Sequence, residues 1–195
     1  MGMMVQAGAA VAMTDSESDA ALLTQFQGGD DQAFMTIFER YECVLIRYLY
    51  NLTGNMELAK DFCQETMTRL IQKPPRGRLQ GSLRAWLFRV AHNLAMDHLR
   101  KANRMADHPQ ALDEKPDEGI GLHDELTQDK INARLRKHIG ELPQPQREIL
   151  CLRVFGGLRF REVAKAAKLP LGTAIWRMNR AIDSLRESLK EDGWL

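Results

Sequence analysis

The sequence has few cysteines, no long apolar run and no segment with the alternating pattern of a β-strand. No stretch approaches the ~20 consecutive apolar residues that a membrane-spanning helix needs. The three cysteines, Cys43, Cys63 and Cys151, are far apart and form no CxxC pair. This argues against a zinc ribbon or a disulfide framework and suits a reducing compartment. Residues 1–13 contain no Lys or Arg, so they lack the basic start of a secretory signal. We therefore expect a cytoplasmic protein without membrane insertion.

The chain also lacks the residue patterns of common enzyme and metal sites. None of its five histidines forms an HxxxH or HExxH pair, the spacings that let one helix face bind zinc. His92 and His98 are six residues apart, which places them on different sides of a helix. No glycine-rich phosphate loop occurs. The sequence therefore predicts no catalytic site, no metal and no cofactor. The cysteines are expected to be small buried apolar residues, with a redox-sensing thiol as the alternative.

Apolar residues recur at spacings of three and four along most of the chain, which is the period of amphipathic helices. Asp30 or Asp31 is well placed to cap the second helix, Pro74-Pro75 ends the third, and Ser82 opens the fourth. The fourth helix is expected to bury an apolar stripe of Leu83, Leu87, Val90 and Leu94. The spacing predicts helices over residues 19–27, 32–52, 56–72, 82–104, 129–142, 145–155, 160–168 and 171–189.

Composition divides the chain into two helical units. Residues 105–128 contain seven acidic residues, one lysine, two prolines and two glycines, with too little apolar content to fold alone. We expect this segment to be a flexible acidic linker between two small all-α domains, residues 19–104 and 129–195. Residues 1–18 are expected to be a disordered leader, with Met13 as an alternative start.

The net charge of +1 conceals a strong segregation of charge along the chain. Residues 15–65 have ten acidic and three basic residues, whereas residues 73–104 have eight basic and one acidic. Residues 143–190 have ten basic and four acidic residues. Two basic blocks separated by an acidic linker suit two contacts with nucleic-acid phosphates; solvated helix faces are the alternative. We expect two separate cationic surfaces, held apart by the linker, that engage one DNA site.

Residues 160–186 have the pattern of a helix-turn-helix motif. A short helix with Val163, Ala164 and Ala167 on its inner face precedes the turn Leu169-Pro170-Leu171-Gly172 and a long helix. The small residues let the two helices cross closely, and Thr173 is expected to cap the second helix. A plain helical hairpin with surface arginines is the alternative. The outer side of the long helix is predicted to hold Thr173, Trp176, Arg177 and Arg180, and its inner side Ala174, Met178, Ala181 and Leu185.

Three motifs, in this order, resemble the extracytoplasmic-function sigma factors, group IV of the sigma-70 family. Asp61-Phe62-Cys63-Gln64-Glu65 is similar to the D-x-x-Q-E signature of that family, and residues 83–100 are similar to its helix that recognises the −10 promoter element. The −35-binding domain is matched by Leu142-Pro143, residues 147–152, Glu162-Val163-Ala164 and Gly172-Thr173. The resemblance covers residues 19–189. It implies a transcription initiation factor that performs no chemistry of its own.

The resemblance also implies partners for particular residues. Asp61, Gln64 and Glu65 would bind the clamp helices of the largest subunit of core RNA polymerase; Asp61 and Glu65 are one helical turn apart and share a face. The acidic linker would pass through the RNA channel of the polymerase, and an anti-sigma factor would be a further partner. Promoter DNA would be bound at the −10 element by Arg76, Arg78, Arg89, Asn93 and Arg100, and at the −35 element by Thr173, Trp176, Arg177 and Arg180. Asn93 would hold a base flipped from the nontemplate strand.

Two positions depart from the pattern of the family. Residues 73–82 contain no aromatic residue, although many relatives have one in the loop before the −10 helix. In the recognition helix, Ile175 and Trp176 stand where relatives usually have a basic residue and a serine. We hypothesise an unusual −35 preference in which Trp176 contacts a thymine methyl group or a sugar edge.

A stand-alone helix-turn-helix regulator, which binds duplex DNA without polymerase, is the main alternative function. It would explain residues 160–186 but would leave the first 104 residues without a role. A sigma factor is expected to bind promoter DNA poorly alone and well with core polymerase, and this difference separates the two functions.

Overall fold

The computed structural model describes residues 18–75, 82–106 and 126–194, and every regular element in those ranges is an α-helix. The all-α prediction is confirmed, and the predicted helix ends differ from the observed ends by at most three residues. Within the described ranges, no helix combines the length and apolarity needed to cross a bilayer. The helices are α1 (Asp19–Gln27), α2 (Asp31–Thr53), α3 (Met56–Gln72), α4 (Leu83–Ala106), α5 (Leu126–Glu141), α6 (Gln144–Val154), α7 (Phe160–Ala166) and α8 (Leu171–Glu191).

Two predicted segments fall largely outside the described residues. Of the leader, only Ser18 is described, and it caps α1 by accepting a hydrogen bond from the Ala21 amide at 3.3 Å. Of the predicted linker, residues 107–125 are not described. Its first two residues belong to the end of α4, and its last three, Leu126 to Gln128, belong to α5.

Helices α1–α4 form a bundle in which α1, α3 and α4 all pack against α2. Side-chain caps define where α2 and α3 begin: Asp30 caps α2, and Asn55 caps α3 by accepting from the Leu58 amide at 3.0 Å. Gly54 ends α2 with a φ of 74°, a left-handed conformation that glycine adopts without strain. The fully buried side chains of this bundle include Ile37, Leu45, Tyr48, Leu49, Leu52, Leu70, Leu83, Leu87 and Phe88.

The buried stripe of α4 differs from the predicted one. Leu83 and Leu87 are fully buried as expected, but Val90 and Leu94 are only partly buried. The buried row continues through Ala91 and Ala95, and Phe88, His92 and Met96 form a second buried row beside it. The prediction had assumed that the larger apolar side chains, including Val90 and Leu94, are the buried ones. The structure instead buries rows spaced by four residues, because α4 packs against two different partners.

Helices α5–α8 form the second unit. Its core is made of Ile139, Leu142, Ile149, Leu152, Leu158, Val163, Ala174, Met178 and Ala181. At the α5–α6 junction, the guanidinium of Arg147 donates to the carbonyls of Gly140 at 2.6 Å and Leu142 at 3.0 Å. These bonds satisfy carbonyls that the end of a helix leaves without partners. Burial lowers the pKa of Arg147.

The two units pack against each other, which differs from the expected separation. Their buried residues form one hydrophobic cluster, and α4 contacts α7 while α2 contacts α5 and α6. The sequence predicted only one apolar side for α4, whereas the structure also buries a second side of this helix. Its Phe88 side chain lies against Gly156, where an added Cβ would be 3.1 Å from the ring. Small domains with little core of their own gain apolar burial from such a contact.

The prediction that the cysteines are buried is correct for two of the three. Cys63 and Cys151 are buried, and this burial raises the pKa of each thiol to about 12. Cys43 is exposed on α2, so the prediction is wrong there. It follows two residues after buried Tyr41 and two before buried Leu45, a spacing that puts it on the opposite side of the helix.

The structure selects Asp30, and not Asp31, as the cap of α2. Asp30 Oδ1 accepts from the amides of Gln32 at 2.9 Å and Ala33 at 3.4 Å. We expect Asp30→Ala to lower the free energy of unfolding by about 1 kcal/mol. Asp31→Ala is the control: it removes only a charge near the helix N-terminus and should cost less than about 0.5 kcal/mol. Urea unfolding followed by circular dichroism measures both, and equal losses would contradict the assignment.

Candidate functional surfaces

The predicted polymerase-binding residues form one exposed acidic face on α3. Asp61, Gln64 and Glu65 are all exposed, whereas the intervening Cys63 is buried. Phe62 is half-buried and packs edge-on against the ring of His98 on α4, with ring centroids 5.6 Å apart. Because Phe62 and Cys63 face inward, the helix must present its acidic residues to solvent. The sequence prediction of one shared face matches this geometry.

Two neighbours modify this face, and the motif did not point to either of them. Arg69 Nε lies 2.9 Å from Glu65 Oε1, and both side chains are about half exposed. Such exposed pairs contribute little to stability and can exchange for another partner. Ile71 is 52% exposed and lies seven residues after Gln64, two turns along the same side of α3. An exposed isoleucine beside an acidic face gives this surface an apolar component.

The described −10 candidates lie along one side of α4. Arg89 and Arg100 are exposed and Asn93 is partly exposed, at positions that share a side of the helix. Arg100 pairs with Asp97 at 3.2 Å, an exposed pair that a phosphate can displace at low cost. Trp86 is partly buried and packs on the core. Arg76 and Arg78 lie outside the described residues.

Helices α7 and α8 form the helix-turn-helix with the predicted inner face. Ala174, Met178 and Ala181 of α8 are buried, and Leu185 packs against the core. In α7, Val163 and Ala164 are buried as predicted, but Ala166 is buried more fully than the predicted Ala167, which follows the helix as its C-cap and is only partly buried. The prediction that Thr173 caps α8 is wrong. Helix α8 begins at Leu171, directly after Pro170, and no side chain caps it. Proline suits a position where its missing amide hydrogen is not needed, and Thr173 lies within the helix, partly exposed.

The remaining −35 candidates have different surroundings. Trp176 is 56% exposed, and the Arg180 guanidinium lies over its ring, 5.7 Å from the centroid. This cation–π contact holds both side chains on the outer surface of α8. Arg177 is less accessible, with 24% of its side chain exposed, and its Nη1 lies 4.0 Å from Glu148 Oε2. The structure therefore brings Trp176 and Arg180 together and turns Arg177 toward a buried carboxylate.

Both units match families of known proteins. Residues 37–105 match sigma-70 region 2, and residues 139–187 match sigma-70 region 4, which together are more than half of the chain. The chain is 31% identical over 165 residues to the extracytoplasmic-function (ECF) RNA polymerase sigma factor RpoE of Cereibacter sphaeroides, covering 82% of this chain and 88% of that protein. It is 24% identical over 180 residues to the ECF RNA polymerase sigma factor SigW of Bacillus subtilis, covering 87% of this chain and 95% of that one. The chain belongs to the extracytoplasmic-function sigma factors.

Solved structures share the fold of this sigma factor. CnrH, in its complex with the cytosolic domain of CnrY, aligns over 90% of this chain and 99% of its own with a TM-score of 0.66 and 22% identity. RpoE from Bartonella quintana, in its complex with the anti-sigma factor NepR, aligns over 80% of this chain and 97% of its own, with a TM-score of 0.65 and 23% identity. The match to region 2 accounts for the first helical unit, which a stand-alone helix-turn-helix regulator leaves without a role.

One residue that joins the two units of the sigma factor could not be identified from the sequence. Glu148 is buried on α6, and its Oε1 lies 3.1 Å from His92 Nε2 on α4. The other nitrogen of His92, Nδ1, lies 3.0 Å from the Tyr48 hydroxyl. The contact between Glu148 and His92 could not be predicted, because the two residues belong to different predicted domains. The packing of the two units brings them together. Among the described residues, no three metal-ligating side chains come together.

One residue in the turn of the helix-turn-helix, Lys168, has an unfavourable backbone conformation. Lys168 has a φ of 55°, which costs a residue with a Cβ about 1 kcal/mol or more. Since glycine adopts this conformation freely, Lys168→Gly should raise the free energy of unfolding by about 0.5–1 kcal/mol. Lys165→Gly, inside α7, is the matched control and should lower it by about 1 kcal/mol. Urea unfolding measures both; a loss of stability in Lys168→Gly would contradict the strain.

Proposed function

We propose that this sigma factor recruits core RNA polymerase through the acidic face of α3 and directs it to promoters through α4 and α8. The observation that carries the proposal is the outward orientation of all three residue sets at once. Asp61, Gln64 and Glu65 are exposed on α3, Arg89 and Arg100 on α4, and Trp176 and Arg180 on α8. Each set remains accessible although the helices that carry it are packed on their other faces.

The acidic face suits the clamp helices of the polymerase largest subunit. Exposed carboxylates on a rigid helix give electrostatic complementarity to a basic partner, which mainly sets the rate and specificity of encounter. Asp61 supplies charge at one end of the face and Glu65 at the other, and Ile71 adds apolar area. The packing of Phe62 on His98 ties this face to α4, so the surfaces proposed for polymerase binding and −10 recognition belong to the same helical bundle.

The cationic side of α4 suits the −10 element. Arg89 and Arg100 supply sequence-independent attraction to phosphates, and Asn93 has the donor and acceptor groups needed to hold the edge of a flipped base. Extracting a base costs a few kcal/mol of stacking, so a fixed pocket wall is needed. Arg76 and Arg78 are proposed to complete this pocket.

The outer surface of α8 suits the −35 element in the major groove. Arg180 and Arg177 carry donors that match guanine edges or phosphates, and Thr173 lies one turn before Arg177. Trp176 replaces a small polar residue of the family with a large aromatic ring. Its stacking with Arg180 at 5.7 Å supports our proposal that the two side chains contact DNA together.

An anti-sigma factor is a further proposed partner. CnrH was solved with CnrY, and the Bartonella RpoE with the anti-sigma factor NepR. A protein that covers the exposed acidic or cationic surfaces of this chain would block its binding to polymerase or DNA. We place the activity in the cytoplasm, with polymerase and promoter DNA, and assign the chemistry of RNA synthesis to the polymerase.

Transcription in vitro with core polymerase over a randomised promoter library tests the proposed function. Selective start sites that share a −10 and a −35 element support it. Tight, sequence-specific binding to duplex DNA without polymerase, together with no selective initiation, would favour the stand-alone regulator instead.

Removing both carboxylates of the α3 face should weaken binding to core polymerase. Asp61→Ala combined with Glu65→Ala is expected to raise the Kd by at least about tenfold, or 1.4 kcal/mol. Stability should change little, since both side chains are exposed. Glu39→Ala, an exposed acidic residue on α2, is the control and should leave the Kd unchanged. Fluorescence titration with core polymerase measures the effect, and equal affinities for all three proteins would contradict the assignment.

Replacing Trp176 should change the −35 preference. Trp176→Ser is expected to reduce discrimination at one −35 position by about 1 kcal/mol, the lower end for a good base contact. Ile182→Ser removes another exposed apolar residue of α8 and should leave the preference intact. Selection of −35 sequences by the two holoenzymes measures this. If the Trp176→Ser profile matches that of the parent, Trp176 does not read the promoter.

A further inference from the structure

Asn179 lies on the outermost side of α8. At about 100° of rotation per residue, it is turned roughly 140–160° away from the buried Ala174 and Ala181. Trp176 is turned away from them by the same amount. Arg177, in contrast, lies within roughly 60° of both buried alanines, and only 24% of its side chain is exposed. Asn179 therefore faces away from the core more directly than Arg177 does.

The Asn179 carboxamide forms no hydrogen bond with any residue that the structure describes, and its side chain is exposed. Asparagine is one of the weaker helix formers, because its amide competes for backbone hydrogen bonds. In the middle of α8 it therefore adds neither packing nor helix stability to the free chain. Its donor and acceptor are available to a ligand instead.

The neighbours of Asn179 on this outer surface are apolar or already engaged. Ile175, one turn earlier, is 38% exposed, and Trp176 is 56% exposed. The Arg180 guanidinium lies over the Trp176 ring, 5.7 Å from its centroid, and Arg177 is turned inward. Asn179 thus places an uncommitted NH2 donor and an uncommitted carbonyl acceptor beside exposed apolar side chains.

A carboxamide in this position matches adenine in the major groove. Adenine presents its N7 acceptor next to its N6 amino donor, so the NH2 group of asparagine donates to N7 while its carbonyl accepts from N6. Guanine presents two acceptors there and would leave the asparagine carbonyl facing one of them. The exposed Ile175 suits the methyl group of thymine, which is the apolar feature of the same groove.

We propose that Asn179 determines specificity at the −35 element by selecting an adenine through two hydrogen bonds, with Ile175 against the methyl group of a neighbouring thymine. The proposal rests on the proposed function, because it requires the N-terminal half of α8 to lie in the major groove, as in other helix-turn-helix proteins. It adds a residue and a base identity to that surface.

Selection by the holoenzyme from a promoter library randomised only across the −35 region tests the proposal. The parent should prefer adenine at one position by at least about fivefold. Asn179→Ala should lose this preference, and Asn179→Arg should change the preferred base to guanine, whose O6 and N7 match a guanidinium. A residue with a purely structural role would not change the base identity. Because Asn179 is exposed, both variants should keep the fold.

A modified base tests the hydrogen bond itself. 7-Deazaadenine at the selected position lacks the N7 acceptor but still pairs with thymine. It should weaken promoter binding by the parent holoenzyme about two- to tenfold and leave binding by the Asn179→Ala holoenzyme unchanged. Asp183→Ala is the matched control, since Asp183 is exposed one turn after Asn179 and pairs with Arg186. This variant should keep both the adenine preference and the response to the modified base.

A parent that initiates selectively but shows no adenine preference dependent on Asn179 would overturn the proposal. An equal effect of 7-deazaadenine on the parent and on Asn179→Ala would also overturn it, because N7 would then be recognised by another group. Failure of the proposed function would be distinguishable, since the parent holoenzyme would then initiate selectively on no sequence of the library.

Discussion

Different rows of residues along α4 meet different partners, and the division of this helix into three sides determines where the functional side chains can be. One side, with Leu83, Leu87, Ala91 and Ala95, is buried in the first bundle. A second side, with Phe88, His92 and Met96, is buried against the second unit. The third side, with Arg89, Asn93 and Arg100, is the side left accessible for the proposed contact with DNA. Burial on two sides restricts the movement of the helix, which suits its proposed role of holding a flipped base.

Side-chain contacts connect α4 both to the acidic face of α3 and to α8. Phe62 ties α3 to α4 through His98, and Glu148 ties α4 to the residue beside Trp176 on α8. The first link joins consecutive helices, whereas the second joins helices from the two different units.

The recognition helix shows how local and global requirements compete. Lys168 accepts an unfavourable backbone conformation so that α7 and α8 meet at the angle of a helix-turn-helix. Pro170, and not Thr173, begins α8, which leaves the outer surface to Trp176 and Arg180. These local choices place an aromatic ring where the family usually has a serine, and they do so without disturbing the buried Ala174, Met178 and Ala181.

The sequence by itself determined the helices, the inward side of α8, the acidic face of α3 and the sigma-factor resemblance. All of these depend on spacing within one helix or on short motifs, because a period of 3.6 residues decides which side chains lie together. Only the tertiary structure decided that Val90 and Leu94 are less buried than Ala91 and Ala95, that Cys43 is exposed, and that Glu148 meets both His92 and Arg177. The packing partner of a helix side comes from a distant part of the chain, and the periodicity of one helix contains no information about that partner.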